Sequence, residues 1–322
     1  MTIRTIILSI MLPVLALGTG SCFTGVEGTP KIRLDDVRRT GASKLTPEQT
    51  YLADFEPEAP SKWRKGKPFL VASDRISLIF TQASSPADNL TGRVLAFEEF
   101  TPSRSLTGDD AGEVVFTGRD NTRYYYRVPG LTASKLDTLS RLQIPFTVDL
   151  DLVARVDSAL TGRNLFVRTP LWYDARTRQD VNGLRHIEVH IDSVGPGDDY
   201  FPAAVYFHAT DPQYLSRTDP DGHGRMLLLS TGTSRAATRT FDTLFSFSDP
   251  RKTHPEIKDD VWALIIASKV RNGMSREECR LALGSPHEVL RTPSYSGMRE
   301  SWSYSDGVYL IFDDGFLTRF RL

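Results

Sequence analysis

The stretch GRNLFVRTPLWYD, residues 162–174, indicates the fold of the chain, because an earlier stretch has the same order of residue types. GKPFLVASDRISLIF begins 96 residues before it, at Gly66. Each stretch opens with glycine, a basic residue, an apolar pair and valine, and a turn then precedes a second apolar run. Short apolar runs separated by Gly, Asp, Asn and Pro are typical of β-strands and their turns.

Further strand-like runs follow both stretches and predict a mainly β protein with a C-terminal α+β domain. TGRVLAFEEF and GEVVFTGRDNTRYYYRV follow the first, and NGLRHIEVHIDSV, FPAAVYFHA and GRMLLLS follow the second. We expect two tandem small β-barrel or β-sandwich repeats, in modules 61–145 and 146–250, with a short helix near 131–146 between them. Any two β-hairpins can share such a pattern, so the alternative that the two modules are unrelated stays open.

The first 22 residues, MTIRTIILSIMLPVLALGTGSC, predict export. A basic residue precedes an apolar run that is too short to span a bilayer, and small residues then lead to Cys22, so we expect a signal peptide over 1–21. This layout resembles a bacterial lipoprotein signal, although Thr19 stands where that motif usually has Leu. The resemblance implies lipid on Cys22 and an anchor in the outer membrane; an ordinary signal peptide is the alternative. The residues just after Cys22, Phe-Thr-Gly-Val-Glu, lack an acidic cluster that could act as a surface-export signal, so we expect a periplasm-facing body.

Residues 22–60 are polar, with scattered Gly, Pro and charges, and predict a lipidated N-terminus and tether. Within them, Thr46-Pro47-Glu48-Gln49 has the spacing of a capped short helix.

The composition excludes some function classes. The 322 residues carry a formal net charge of −1, and basic and aromatic residues do not form a run, so the sequence predicts no nucleic-acid partner. Cys22 and Cys279 are the two cysteines. If Cys22 carries lipid, no intramolecular disulfide can form, and Cys279 is expected to be a small core residue.

Helical periodicity returns in the C-terminal domain, residues 251–322. Asp259–Arg271 is expected to be one helix, and Ser275 with Glu278 predicts a capping box for a second helix that ends at Gly284. Three to four strand-like runs follow: HEVLRT, RESWSYS, VYLIFDD and FLTRFRL. Asp306-Gly307 between two of them predicts a hairpin.

The segment from about 256 to 322 resembles the BamE (SmpA/OmlA) type of outer-membrane lipoprotein domain. The resemblance rests on four short motifs: Gly273-Met274, Leu283-Gly284-Ser285-Pro286, Trp302-Ser303-Tyr304 and Asp306-Gly307. It implies two helices followed by a β-meander in a protein of the cell envelope. It implies nothing about the remaining four-fifths of the chain.

The histidine-rich run His186-Ile187-Glu188-Val189-His190-Ile191-Asp192 is the sharpest candidate for chemistry. Alternate residues of a strand share a face, so we expect His186, Glu188 and His190 to point one way, as a weak transition-metal candidate. The same spacing is what a half-buried strand with a polar outer face gives. A second segment, Asp219 to Gly224, resembles a calcium loop but lacks the remaining oxygen ligands, so a plain turn is expected.

Nucleophile motifs, phosphate loops and dinucleotide fingerprints are absent from the sequence, so no catalytic residue and no cofactor is predicted. The sequence predicts a lipid-anchored cell-envelope lipoprotein that acts as a non-enzymatic binding or scaffolding protein with envelope protein partners. The alternative is an envelope hydrolase or carbohydrate-binding protein with a carboxylate and aromatic site in the β modules. Tyr124-Tyr125-Tyr126 and Trp172-Tyr173 are its candidate aromatics, although such residues commonly fill a core.

Overall fold

The computed structural model describes residues 45–52, 55–82, 89–104, 110–231, 238–294 and 297–322. The predicted signal peptide and Cys22 lie outside the described residues, as does the first part of the predicted tether. Within the described residues the chain forms three antiparallel sheets and eight helices. The helices are α1 (Pro47–Thr50), α2 (Ala133–Thr138), α3 (Leu150–Leu160), α4 (Pro212–Thr218), α5 (Phe241–Leu244), α6 (Pro250–Thr253), α7 (Asp259–Ile266) and α8 (Arg276–Leu283).

The first sheet has the order β2-β5-β4-β3-β1-β6. Its strands are β1 (Pro68–Val71), β2 (Phe80–Gln82), β3 (Val94–Arg104), β4 (Asp110–Thr117), β5 (Arg123–Pro129) and β6 (Thr147–Asp149). Along β1, buried Phe69 and Val71 alternate with half-buried neighbours, which is the two-residue period of a strand with one face in a core. That core is rich in aromatic rings, with Trp63, Phe69, Phe97 and Phe116 in mutual contact.

The second sheet has the order β13-β7-β10-β11-β12-β8-β9. Its strands are β7 (Asn164–Val167), β8 (Leu171–Asp174), β9 (Asp180–Asn182), β10 (Glu188–Pro196), β11 (Ala203–Ala209), β12 (Arg225–Leu229) and β13 (Phe245–Ser246). Helix α3 covers one face with Val153, Val156 and Leu160, all of them buried in the core of this sheet. Sequence reading missed α3, although Asp149 caps its first turn and its apolar residues recur with a helical period.

The third sheet is a four-stranded meander, β14 (Glu288–Ser294), β15 (Gly297–Ser303), β16 (Tyr309–Asp313) and β17 (Phe316–Arg321). The predicted capping box is present, since the Ser275 hydroxyl accepts the Glu278 amide and the Glu278 carboxylate accepts the Ser275 amide. Helix α7 ends at Ile266, sooner than predicted. Ser268 has φ of 54°, and the Lys269 amide donates to the Leu264 carbonyl, so a Schellman turn closes the helix.

Of the two predicted alternatives, barrel or sandwich, the closed barrel is wrong, because each sheet is open. The strands at the two ends of the first sheet, β2 and β6, have three residues each and pair on one side only. Such short strands cannot carry the tilted ladder that closes a barrel. The β-rich character and the two C-terminal helices followed by strands are as the sequence predicts.

Five strands of the first two sheets follow the same order. β2-β5-β4-β3-β1 in one sheet corresponds to β8-β12-β11-β10-β7 in the other. The corresponding strands β3 and β10 each carry a register shift, between Phe97 and Glu99 in β3 and between Ile191 and Ser193 in β10. The Gly66 amide donates to the Phe97 carbonyl at 2.7 Å, and the Gly162 amide donates to the Ile191 carbonyl at 2.9 Å.

The described end of the predicted tether packs against the body. Thr46 and Gln49 form the predicted capping box of α1, after which Leu52 is buried in the core of the second sheet. The Tyr51 ring contacts Phe241 and Phe247 at centroid distances of 4.6 and 5.0 Å. Tyr51 and Leu52 of the predicted tether therefore belong to the folded body.

Candidate functional site

The structure separates His186 from the other two members of the predicted metal triad. His186 precedes β10, with φ of 58°, so it is not on the strand whose alternation was to align the three residues. Its Nε2 atom lies 2.9 Å from the Leu281 carbonyl oxygen of α8. The expectation that His186 shares a strand face with Glu188 and His190 is therefore wrong.

His186 instead belongs to the contact between the second sheet and the C-terminal domain. The neighbouring Arg185 donates its Nε–H to the Ser268 hydroxyl, 3.1 Å away, and its backbone amide to the Ile266 carbonyl. Burial lowers the pKa of His186 to about 4, because the charged imidazolium would lose its hydration there. These contacts are structural, and the positive φ of His186 turns the chain toward them.

The remaining histidine of the triad lies in a polar row across the outer face of the second sheet. His190 is directly opposite Asn164 of β7 on one side and His208 of β11 on the other. The His190 and His208 ring centroids are 5.5 Å apart. His190 Nδ1 lies 2.7 Å from Asn164 Oδ1, and His208 Nδ1 lies 2.8 Å from Asp192 Oδ1.

His208 was missed by sequence reading, since it is 18 positions after His190 and on the next strand. The alternating run FPAAVYFHA could have indicated that His208 faces outward, because Phe207 and Ala209 on either side of it are buried. Glu188 has its own partner, since its Oε2 accepts the Thr210 hydroxyl at 2.9 Å. Among the residues that the structure describes, no group of three or more His, Cys, Asp or Glu side chains converges to hold a metal ion.

The loop that resembles a calcium site is closed by an arginine. The Asp219 carboxylate accepts the backbone amides of His223 and Gly224 and pairs with the buried Arg225 guanidinium at 3.1 Å. Arg225 also pairs with Asp174 at 3.0 Å. A guanidinium occupies the position where a cation would gather these oxygens, so the segment is the plain turn that the sequence predicts.

Asp174 is the centre of that network. Its Oδ1 atom accepts the amide and the hydroxyl of Thr177 and the amide of Arg176, while Oδ2 faces Arg225 and His223. The hydrogen bond from the Thr177 amide contributes most to holding the pKa of Asp174 well below its usual range. A carboxylate stabilised in this way is a weak base, so this network stabilises the fold and is poorly suited to proton transfer.

The candidate aromatics of the carbohydrate alternative are divided between core and surface. Tyr124 and Trp172 are buried in the two sheet cores. Tyr173 lines a cleft of about 200 Å³ together with Asp180, Asn182 and Arg239. The Arg239 guanidinium lies between the rings of Tyr173 and Phe201, 5.3 and 4.6 Å from their centroids, and Nη2 donates to the Tyr173 hydroxyl.

The outer face of the C-terminal sheet combines exposed apolar and basic side chains. Its inner face packs Trp302, Leu310 and Phe312 against the helices. The alternate residues point away from them, and the large apolar ones include Leu290, Tyr309 and Phe316, which are 45%, 41% and 57% exposed. The basic residues of that face include Arg299, Arg319 and Arg321.

Cys279 lies on the inner side of the same domain and is fully buried. Burial raises the pKa of its thiol to about 12, so the reactive thiolate is suppressed. The cysteine behaves as a core residue between α8 and the sheet, as the sequence predicts.

No protein-family model matches this chain, and no curated protein and no solved structure is detectably similar to it. Within the described residues, the helices are all too short or too polar to cross a membrane.

Proposed function

We propose that the protein is a lipid-anchored lipoprotein of the cell envelope, held at the outer membrane through Cys22, and that it acts as a non-enzymatic binding or scaffolding protein. The observation that carries the binding role is the outer face of the C-terminal sheet, where Leu290, Tyr309 and Phe316 lie exposed among arginines. Aromatic residues and arginine are the residue types enriched at protein interfaces. An envelope protein with an apolar and acidic surface would fit this face.

The lipid anchor is supported by the sequence around Cys22 and by the C-terminal domain. Two helices followed by a four-stranded antiparallel sheet is the element order that the BamE-type resemblance leads one to expect. That resemblance is to outer-membrane lipoproteins, which agrees with the location predicted from the signal peptide. We further infer that the first two modules are tandem copies, because they share a five-strand order and the position of one β-bulge.

Two clusters of buried ionisable side chains are occupied by contacts within the fold. The Asp174, Asp219 and Arg225 network is occupied by hydrogen bonds and ion pairs within the loop. The buried Glu300 carboxylate is likewise paired with Arg276 and Arg291, at 3.2 and 3.1 Å. The carboxylates of Asp174, Asp219 and Glu300 therefore serve the fold, and we assign none of these three to acid–base chemistry.

The anchor is tested with Cys22→Ala in the full chain. Wild type is expected in the outer-membrane fraction, and the variant in the periplasmic extract, with an unchanged thermal melting curve. A variant that stays in the membrane fraction would rule out lipid on Cys22 as the anchor.

The binding face is tested by placing a photo-crosslinking amino acid at Tyr309 or Phe316 and irradiating cells. Tyr200 is the matched control, since it is 54% exposed on the second module. Crosslinks to a discrete envelope protein are expected from the two C-terminal positions alone. Equal products from all three positions, or none from any, would argue against the face as a binding surface.

A second candidate function, binding of a carbohydrate or another small molecule, is favoured by the cleft beside Tyr173. Arg239 Nη1 is buried there and has no hydrogen-bond partner among the described residues, so an oxygen-bearing ligand could satisfy it. Screening glycans against wild type and Arg239→Gln tests this function. A ligand whose affinity is equal for both proteins does not use the cleft.

A further inference from the structure

We propose that His190 and His208 bind one divalent transition-metal ion of the kind that imidazole prefers, such as zinc or copper(II), through their Nε2 atoms. Neither the sequence triad nor the binding face described above includes this pair. The proposal is independent of the lipid anchor and of the C-terminal surface.

The backbone places the two rings side by side. His190 and His208 are directly opposite residues on the paired antiparallel strands β10 and β11, and both point to the outer face of the sheet. Directly opposite residues of neighbouring strands have side chains in mutual reach, whereas neighbours along one strand are nearly 7 Å apart. The cross-strand pair therefore achieves the convergence that the linear triad could not.

The separation of the rings fits a shared ion. Each metal–nitrogen bond is about 2.1 Å, which puts the ion roughly 3.2 Å from each ring centre and, at a tetrahedral angle, the two centres about 5.2 Å apart. The observed centroid distance is 5.5 Å, with the ring planes inclined by 47°. We expect side-chain rotation to bring both nitrogens onto one ion.

The hydrogen bonds of the rings select the tautomer that a metal needs. Asn164 Oδ1 and Asp192 Oδ1 are acceptors, so each Nδ1 carries a proton and Nε2 is the ring atom left to bind an ion. Neither Nε2 atom makes a hydrogen bond to any residue that the structure describes. Holding Nδ1–H with a carboxylate or amide oxygen is the outer-shell arrangement that orients metal-bound histidines.

The site has two protein ligands and is open to solvent. The His208 side chain is 40% exposed, so a hydrated ion can reach it, and water completes the coordination. Glu188, the carboxylate of the predicted triad, is bonded to Thr210. A site with two imidazoles and exchangeable waters is expected to bind its ion reversibly.

The test measures zinc binding to the metal-stripped full chain in detergent by calorimetry. One ion per chain is expected, and His190→Gln and His208→Gln should each weaken its affinity at least tenfold, because each leaves a single imidazole. Asp192→Ala should weaken affinity about tenfold while keeping both ligands. His287→Gln is the matched control, since His287 is exposed on the C-terminal domain and distant from the pair in the sequence.

Copper(II) provides a readout that a structural role would not change. Its electron paramagnetic resonance spectrum is expected to show two nitrogen ligands in wild type and fewer in either histidine variant. Equal melting temperatures of the metal-free proteins would show that the variants fold. Zinc binding weaker than about 1 mM, or binding that survives both histidine changes, would overturn the proposal.

Discussion

A methyl group added at Gly183 is predicted to destabilise the second module sharply. A Cβ atom at this position would overlap the Cγ, Cδ2 and Cε2 atoms of the Trp172 ring. That ring is 1% exposed, its Nε1 donates to the Thr169 carbonyl at 2.7 Å, and it packs edge-on against Phe207 with 5.0 Å between centroids. The indole is held on two sides and cannot turn away, so the backbone of residue 183 must move.

The magnitude follows from the cost of overpacking. Forcing atoms into a well-packed core costs about 1–3 kcal/mol of unfolding free energy, and the rigid partner here puts Gly183→Ala near the upper end, about 3 kcal/mol. At roughly 2 °C per kcal/mol for a chain of this size, the melting temperature should fall by about 6 °C. Urea unfolding followed by far-UV circular dichroism measures the free-energy change directly.

Gly195→Ala is the matched control, because its Cβ would meet only the Tyr206 ring, at 3.1 Å, and that ring is half-buried and free to shift. The decisive comparison is a double-mutant cycle. Trp172→Ala alone should cost about 3–5 kcal/mol, and in that background Gly183→Ala should cost almost nothing. A loss below about 0.5 kcal/mol for Gly183→Ala alone, or additivity in the cycle, would refute the steric explanation.

Three further outcomes follow from buried ionisable groups. Arg225→Leu leaves the carboxylates of Asp174 and Asp219 without their shared cation, and we expect a loss of about 3–5 kcal/mol in urea unfolding at pH 7; a loss under 1 kcal/mol would contradict the network. His186 has a native pKa of about 4 against 6.5 in the unfolded chain, so the unfolded state binds the extra proton and stability falls as pH is lowered from 6.5 to 4, by up to about 3 kcal/mol. His186→Asn should lack that part of the pH dependence. Parallel curves of unfolding free energy against pH for the two proteins would contradict the role of His186. Cys279 should resist alkylation in the native Cys22→Ala protein and react on unfolding in urea, so rapid native labelling would show that the thiol is accessible.

Local signals predicted the C-terminal domain best. The Ser275 and Glu278 capping box, the end of α8 at Gly284 and the four strands are present as expected. Each of them depends on residues within a few positions of one another, which a linear pattern can encode. The end of α7 was misjudged, because a serine in a left-handed conformation took the place usually held by glycine.

The candidate metal site could be predicted only in part. The polar alternation of β10 drew attention to His190. It also included His186, whose backbone turns away from the strand, and it omitted His208, which another strand supplies. Strand pairing between β10 and β11 is a long-range property, so the spacing within either strand carried no information about it.

The sequence by itself determined the β-rich pattern, the capping box at Ser275 and the core position of Cys279, because these depend on local periodicity and on burial of small apolar side chains. Tertiary structure alone decided that GRNLFVRTPLWYD joins an open sheet, with α3 on one face and a row of histidines on the other. The physical reason is that sheet closure, strand neighbours and inter-domain contacts depend on which distant segments pair. The two similar stretches predicted two β modules. Only the pairing of β10 with β11 brought His190 and His208 together.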